Sequence, residues 1–170
     1  MILTKVTKFE MGTPGDGVMG TSLTQFNGIR KGTMTLTIPT PEQTNIETEE
    51  SEGAWLVIPG ARLMSFKLEL VGVELADWNK FLGGTYDSPT KTLSFPTASS
   101  VIKQSVKITG QNENGVAQEI QVPLAQIMGA IDGALTKDDA RGLVVTGNVL
   151  TPYTAAGVIQ SPLLIKDLTA

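Results

Sequence analysis

Gly15-Asp16-Gly17-Val18-Met19-Gly20 matches the glycine spacing G-x-G-x-x-G, which cradles dinucleotide phosphates. Such a cradle works only between a strand and a helix whose N-terminus faces the phosphates. Here Pro14 precedes the motif, and Thr21-Ser22-Leu23-Thr24-Gln25 follows it without helical character. The stretch therefore reads as a loop. Asp138 and Asp139 are adjacent carboxylates of the type that acid–base or metal chemistry uses. Adjacent side chains point apart, however, and Thr136 with Asp139 has the T-x-x-D spacing of a turn cap. Glu42, Glu47, Glu49, Glu50 and Glu52 form an acidic segment. It lacks the alternating Asp/Asn and Gly pattern of a calcium loop and reads as a solvated face.

The composition narrows the chemistry further. There is no histidine, so the commonest general base and imidazole metal ligand are missing. There is no cysteine, which excludes disulfides, thiol nucleophiles and thiolate metal sites. Nothing singles out a Ser–Lys or Thr-type nucleophile. The expectation is a protein that is not an enzyme and uses no cofactor, with a carboxylate-only site as the remaining enzymatic alternative. The net charge of −4 offers no basic surface for nucleic acid. Aromatic residues, at 5%, are too few for a base-stacking platform. Trp55 opens an apolar run and Trp78 sits on an apolar helical face, so both read as core. No stretch approaches the roughly 20 apolar residues of a membrane helix, and Met1–Val6 is too short an apolar run for a signal peptide. No membrane insertion is expected.

The elements that must position these residues are mostly strands. The 18 glycines and 9 prolines are spread along the chain like punctuation between short strands. Residues 2–9 read as a first strand, and 11–32 as an irregular, mobile arm. In 33–38, Met34, Leu36 and Ile38 alternate with threonines, the period of a half-buried strand. Residues 41–53 form the acidic loop, or the exposed part of a hairpin. Trp55–Ile58 reads as a buried strand. In 63–71, Met64, Phe66, Leu68 and Leu70 face one side. Over 74–82 the period changes: Leu75, Trp78 and Leu82 share a helical face, and Gly83-Gly84 stops the helix. Short strands follow at 92–95 and 101–109, the latter with Ile102, Val106 and Ile108 on one face. Asn114-Gly115 signals a hairpin returning through 116–122. Residues 124–135 fit both a helix, through Leu124, Ile127, Met128 and Ile131, and a strand, with strand preferred because Gly129 and Gly133 weaken a helix. Residues 143–150 are a strand, and 158–168 a last strand or a tail packed on a neighbour. The expected fold is a single mainly β domain over 1–170. It has two packed antiparallel sheets, as a sandwich or partly closed barrel, and one short flanking helix.

Two stretches carry a family resemblance. Leu68-Glu69-Leu70-Val71-Gly72-Val73-Glu74-Leu75-Ala76-Asp77-Trp78-Asn79-Lys80-Phe81-Leu82-Gly83-Gly84 runs a strand into a short helix that ends in a glycine pair. Leu135-Thr136-Lys137-Asp138-Asp139-Ala140-Arg141-Gly142-Leu143-Val144-Val145-Thr146-Gly147-Asn148-Val149-Leu150 feeds a polar turn into a strand. Their order and spacing, over about half the chain, resemble the major tail tube proteins of long-tailed bacteriophages. Those share a fold with the tube proteins of contractile tails and type VI secretion. The Gly-rich stretch Met11–Gly20 departs from that pattern.

The resemblance implies a virion tail protein made in the host cytoplasm. Six copies would form a ring whose strands join into an inner barrel, and stacked rings would form a tube that conducts DNA. Partners would be other copies, tail-tip and terminator or connector proteins, the tape-measure protein, and DNA in the lumen. Glu42, Glu47, Glu49, Glu50 and Glu52 would then be an inter-ring or lumen-facing acidic segment. At −4 per chain, a ring would carry about −24, which disfavours DNA adhesion if the charge faces the lumen. Two alternatives remain open: a tube subunit of a contractile injection system, and a β-sandwich adhesin or carbohydrate-binding module.

Overall fold

The structure is a computed structural model that describes residues 3–47, 49, 54–97, 100–131 and 142–168. It is mainly β. Among the described residues, twelve strands run in chain order: β1 (Leu3–Gly12), β2 (Leu23–Phe26), β3 (Thr35–Thr37), β4 (Gln43–Glu47), β5 (Ala54–Pro59), β6 (Ser65–Leu70), β7 (Thr85–Asp87), β8 (Thr92–Ser94), β9 (Ile102–Asn112), β10 (Ala117–Ala130), β11 (Leu143–Val149) and β12 (Leu164–Asp167). A 3₁₀ turn, Leu75–Asp77, and helix α1 (Asn79–Leu82) lie between β6 and β7.

Eight strands form one antiparallel sheet in the order β2-β1-β9-β10-β11-β6-β3, with β12 added to β10. The sheet closes on itself. After β2 the chain crosses to β6, where Ile29 bridges Leu70. Val71 N–H donates to the Gly28 carbonyl at 2.7 Å, and Arg30 N–H donates to the Glu69 carbonyl at 2.9 Å. Of the two expected forms, sandwich or partly closed barrel, the sheet takes the barrel. Closure removes most of the exposed edge that an open sheet would leave.

The alternation in β6 is what the core requires: Phe66, Leu68 and Leu70 point inward and are buried. Phe9, Met11, Val106, Ile108, Ile120, Val122, Ala125, Ile127, Leu143 and Val145 complete the inner layer from the other walls. Asn112 turns the β9–β10 hairpin, its Oδ1 accepting from the N–H groups of Asn114 and Val116. Gly115 takes the positive φ of 76° that this turn needs.

Pairing with β11 settles Ala125–Ala130 as strand, after a bulge between Val122 and Ala125. One extra residue shifts the inward set from even to odd positions, so Ile120 and Val122 are followed by Ala125 and Ile127. Pro123 sits in that bulge, where its missing N–H is tolerated. The strand preference holds through Ala130; residues 132–141, including Asp138 and Asp139, lie outside the described residues.

The helix differs from expectation. Leu75 is 42% exposed, and Phe81 is the buried residue. Trp78 is only partly buried, and its Nε1 donates to the Val73 carbonyl at 2.9 Å. Four of the five phenylalanines meet here or nearby. Phe26 lies edge-on to Phe81 at 4.9 Å, and Phe9 touches both Phe26 and Phe66 at 6.3 Å. The helix thus anchors mainly on the aromatic packing of Phe81, while Leu82 of the expected face also packs against the core.

Residues 11–32, expected as an irregular arm, contain the end of β1, all of β2 and the closing bridge. The strand escaped notice because only Phe26 among its four residues is buried. Strand β7, also unforeseen, pairs with β8 as a separate two-stranded sheet.

Gly147 pairs directly with Phe66, and a Cβ there would lie 2.1 Å from the ring. Gly147→Ala is expected to destabilise the fold by about 1–3 kcal/mol through overpacking, measured by urea unfolding. Adding Phe66→Leu should recover part of that loss; a Gly147→Ala variant as stable as the parent would contradict the packing.

Candidate functional site

Strands β4 and β5 stand apart from the barrel as their own two-stranded sheet. Gly60 N–H donates to the Glu42 carbonyl at 2.6 Å and closes the base. The register pairs Thr44 with Ile58, Asn45 with Val57 and Ile46 with Leu56. Directly paired residues share a face. One face therefore carries Ile46, Leu56 and Ile58, and the other carries Asn45 and Val57. All are substantially exposed: Ile46 38%, Leu56 44% and Ile58 46%. This corrects the reading of residues 55–58 as a buried strand. A continuous apolar run usually means burial on both faces, but here the barrel is filled without it. The side chain of Trp55 lies outside the described residues.

The acidic segment belongs to this hairpin. Glu42 lies exposed at its base, Glu47 ends β4, and Glu49 is exposed in the turn. Glu50 and Glu52 lie outside the described residues. Among the described residues, no three acidic side chains come together as a metal site. An isolated two-stranded hairpin is marginal in water. This one leaves its apolar face exposed.

The G-x-G-x-x-G stretch is a packed loop. Gly20 N–H donates to Ser105 Oγ at 3.0 Å, and Ser105 Oγ donates to the Pro123 carbonyl at 2.6 Å. Ser105 is fully buried and ties the loop to the bulge of β10. Asp16 Oδ1 accepts from Ala155 N–H at 2.6 Å, which joins the loop to a C-terminal turn. In that turn Thr154 N–H donates to the Val158 carbonyl at 3.0 Å. No helix follows the glycines, so the stretch lacks what a dinucleotide cradle needs. Around it Val18, Tyr153, Val158 and Ile159 are each more than half exposed, a second apolar surface outside the core.

The C-terminal segment ends as β12, paired with Gln118–Gln121 of β10. Of residues 158–168, expected as a last strand or a tail, Leu164–Asp167 form the strand. Its outward edge has no strand partner among the described residues. The fold and its exposed faces together define a class: a partly closed β-barrel carrying an amphipathic hairpin and strand edges that have no strand partner among the described residues. No protein-family model matches the chain, and no curated protein matches it.

Sequence reading did not find Ser105 or the apolar hairpin face. The second was partly signalled by Ile46, a lone apolar residue set among polar ones opposite the run 55–58. Ser105→Ala would leave the Pro123 carbonyl and Gly20 N–H unsatisfied in a buried site. We expect a stability loss of about 1–3 kcal/mol by chemical denaturation; an unchanged midpoint would show that neither bond matters.

Proposed function

We propose that this protein is a structural subunit that assembles with copies of itself into a tube, as a tail tube protein of a long-tailed bacteriophage would. The observation that carries the reading is the β4–β5 hairpin, whose apolar face of Ile46, Leu56 and Ile58 is left uncovered by its own barrel. A soluble monomer gains nothing from such a face, whereas a second copy can bury it. The outer edges of β3 and β12, which have no strand partner among the described residues, add a second means of joining subunits, by strand addition. The order of strand, short helix, hairpin and strand that carries the family resemblance agrees with this reading.

In the assembled tube, stacked hexameric rings conduct DNA, and Glu42, Glu47, Glu49, Glu50 and Glu52 line ring contacts or the lumen. Partners are other copies, the tail tip, terminator or connector, and the tape-measure protein. A tube in a contractile injection system would use the same assembly physics, and a neighbouring sheath gene would favour it.

Light scattering behind a sizing column, with negative-stain microscopy across a concentration series and with preformed tube seeds, tests the reading. Rings or tubes with a central channel are expected. Ile58→Asp should abolish them while shifting barrel stability by no more than about 0.5 kcal/mol, as at an exposed site. A chain that stays monomeric with and without seeds, or binds defined glycans on an array, would overturn it.

A further inference from the structure

We infer that the barrel wall holds the acceptor for the hairpin: a seam between the outer edge of β1 and residues 29–34, filled by the β4–β5 hairpin of a second copy. This rests on the self-assembly proposed above and goes further by naming both surfaces.

The seam follows from the way the barrel closes. Strand β2 pairs only with residues 9–12 of β1, then leaves it to bond β6 through residues 28–30. Residues 3–8 of β1 therefore have β9 on one side and, among the described residues, no strand on the other. Between that edge and the crossing segment lies a cleft of about 490 Å³. Val6, Ile29 and Met34 line it and also pack partly against the core, so its floor is apolar. Lys5 and Lys31 are exposed at its rim, beside Arg30.

Each property has its complement in the hairpin. The apolar floor matches the Ile46–Leu56–Ile58 face. The backbone edge of β1 offers N–H and C=O groups to an added strand. The cationic rim matches the charge of the hairpin segment, because the chain between Lys31 and Arg62 contains no Lys or Arg while its sequence holds Glu42, Glu47, Glu49, Glu50 and Glu52. Opposite charge at the rim steers encounter and fixes register.

The two surfaces are also separated. The hairpin follows β3, whose Thr37 pairs with Ser65 at one end of β6, whereas the cleft adjoins the Ile29–Leu70 bridge at the other. Donor and acceptor are different patches, so the contact is heterologous and repeats from copy to copy.

The absence of cysteine makes the test direct. Ile46→Cys and Met34→Cys are made in separate chains, mixed, oxidised and mapped by mass spectrometry. Lys5→Glu with Lys31→Glu is assayed for self-association by sedimentation, alone and together with Glu47→Lys and Glu49→Lys. We expect a 34–46 cross-link between chains only in the mixture. The lysine reversals should weaken association by roughly tenfold or more, with recovery when the glutamates are reversed too. Association that persists without that cross-link and ignores the lysine reversals would overturn the seam while leaving self-assembly intact. A 34–46 cross-link within single dilute chains carrying both cysteines would overturn the second copy as occupant. A parent chain that never associates, seeded or not, would overturn the seam and the assembly reading together.

Discussion

Strand β6 has to satisfy two different segments along one edge. Residues 28–30 bond its end near Leu70, and β3 bonds Ser65–Lys67. Glu69 holds the junction. Its Oε1 accepts from Arg30 Nη1 at 2.9 Å and from Gly142 N–H at 3.0 Å, and its own N–H donates to Thr33 Oγ1 at 3.1 Å. Thr33 Oγ1 in turn donates to the Arg30 carbonyl at 2.7 Å. One side chain thus links the crossing segment, β6 and the approach to β11. The approach is close: a Cβ on Gly28, where φ is 83°, would lie 1.9 Å from the Val71 carbonyl oxygen. Only glycine permits it.

The rest of the surface follows from that junction. Because β2 leaves β1 to close the barrel, the first half of β1 keeps an edge with no strand partner among the described residues. Because β3 is short and ends at Thr37, the chain runs out of the barrel and returns only at β6. Strands β4 and β5 pair in that excursion. The core is complete without it, filled by the aromatic cluster and the inward aliphatic residues. The apolar residues outside the core are therefore surplus to folding, and their place on extended, edge-rich elements suits association. The electrostatics divide in the same way: ion pairs Arg30–Glu69 and Lys107–Glu10 lie on the barrel, while the charged residues of the chain from 42 to 59 are all glutamates.

Much of this was legible in residue order. The alternation in 65–70 and 102–109, the Asn-Gly turn and the glycine pair after the helix all act locally, and local rules read them. What escaped depends on neighbours distant in sequence. Strand β2 buries one residue, Phe26, so its period is too weak to see. Beyond the bulge at Pro123, β10 carries apolar residues on both faces, with Ile127 buried and Met128 exposed, so a strand imitates a helical spacing through Leu124, Ile127, Met128 and Ile131. The helix faces the core with Phe81 because aromatic partners wait there, a fact no window of nine residues contains. The run 55–58 has the composition of a buried strand, yet this chain alone does not bury it. That misreading is informative, since composition shaped for burial and left exposed is what the assembly reading explains.

The central claim is that the barrel is self-sufficient and that the hairpin becomes stable only against another copy. Hydrogen exchange read by mass spectrometry, on dilute chains and on the concentrated or seeded assembly, addresses it most directly. The account predicts slow exchange in β6, β9, β10 and β11 under both conditions. It predicts fast exchange in residues 43–47 and 54–59 when dilute and strong protection once assembled. Equal protection of the hairpin in the dilute chain would contradict it, because the hairpin would then need no partner.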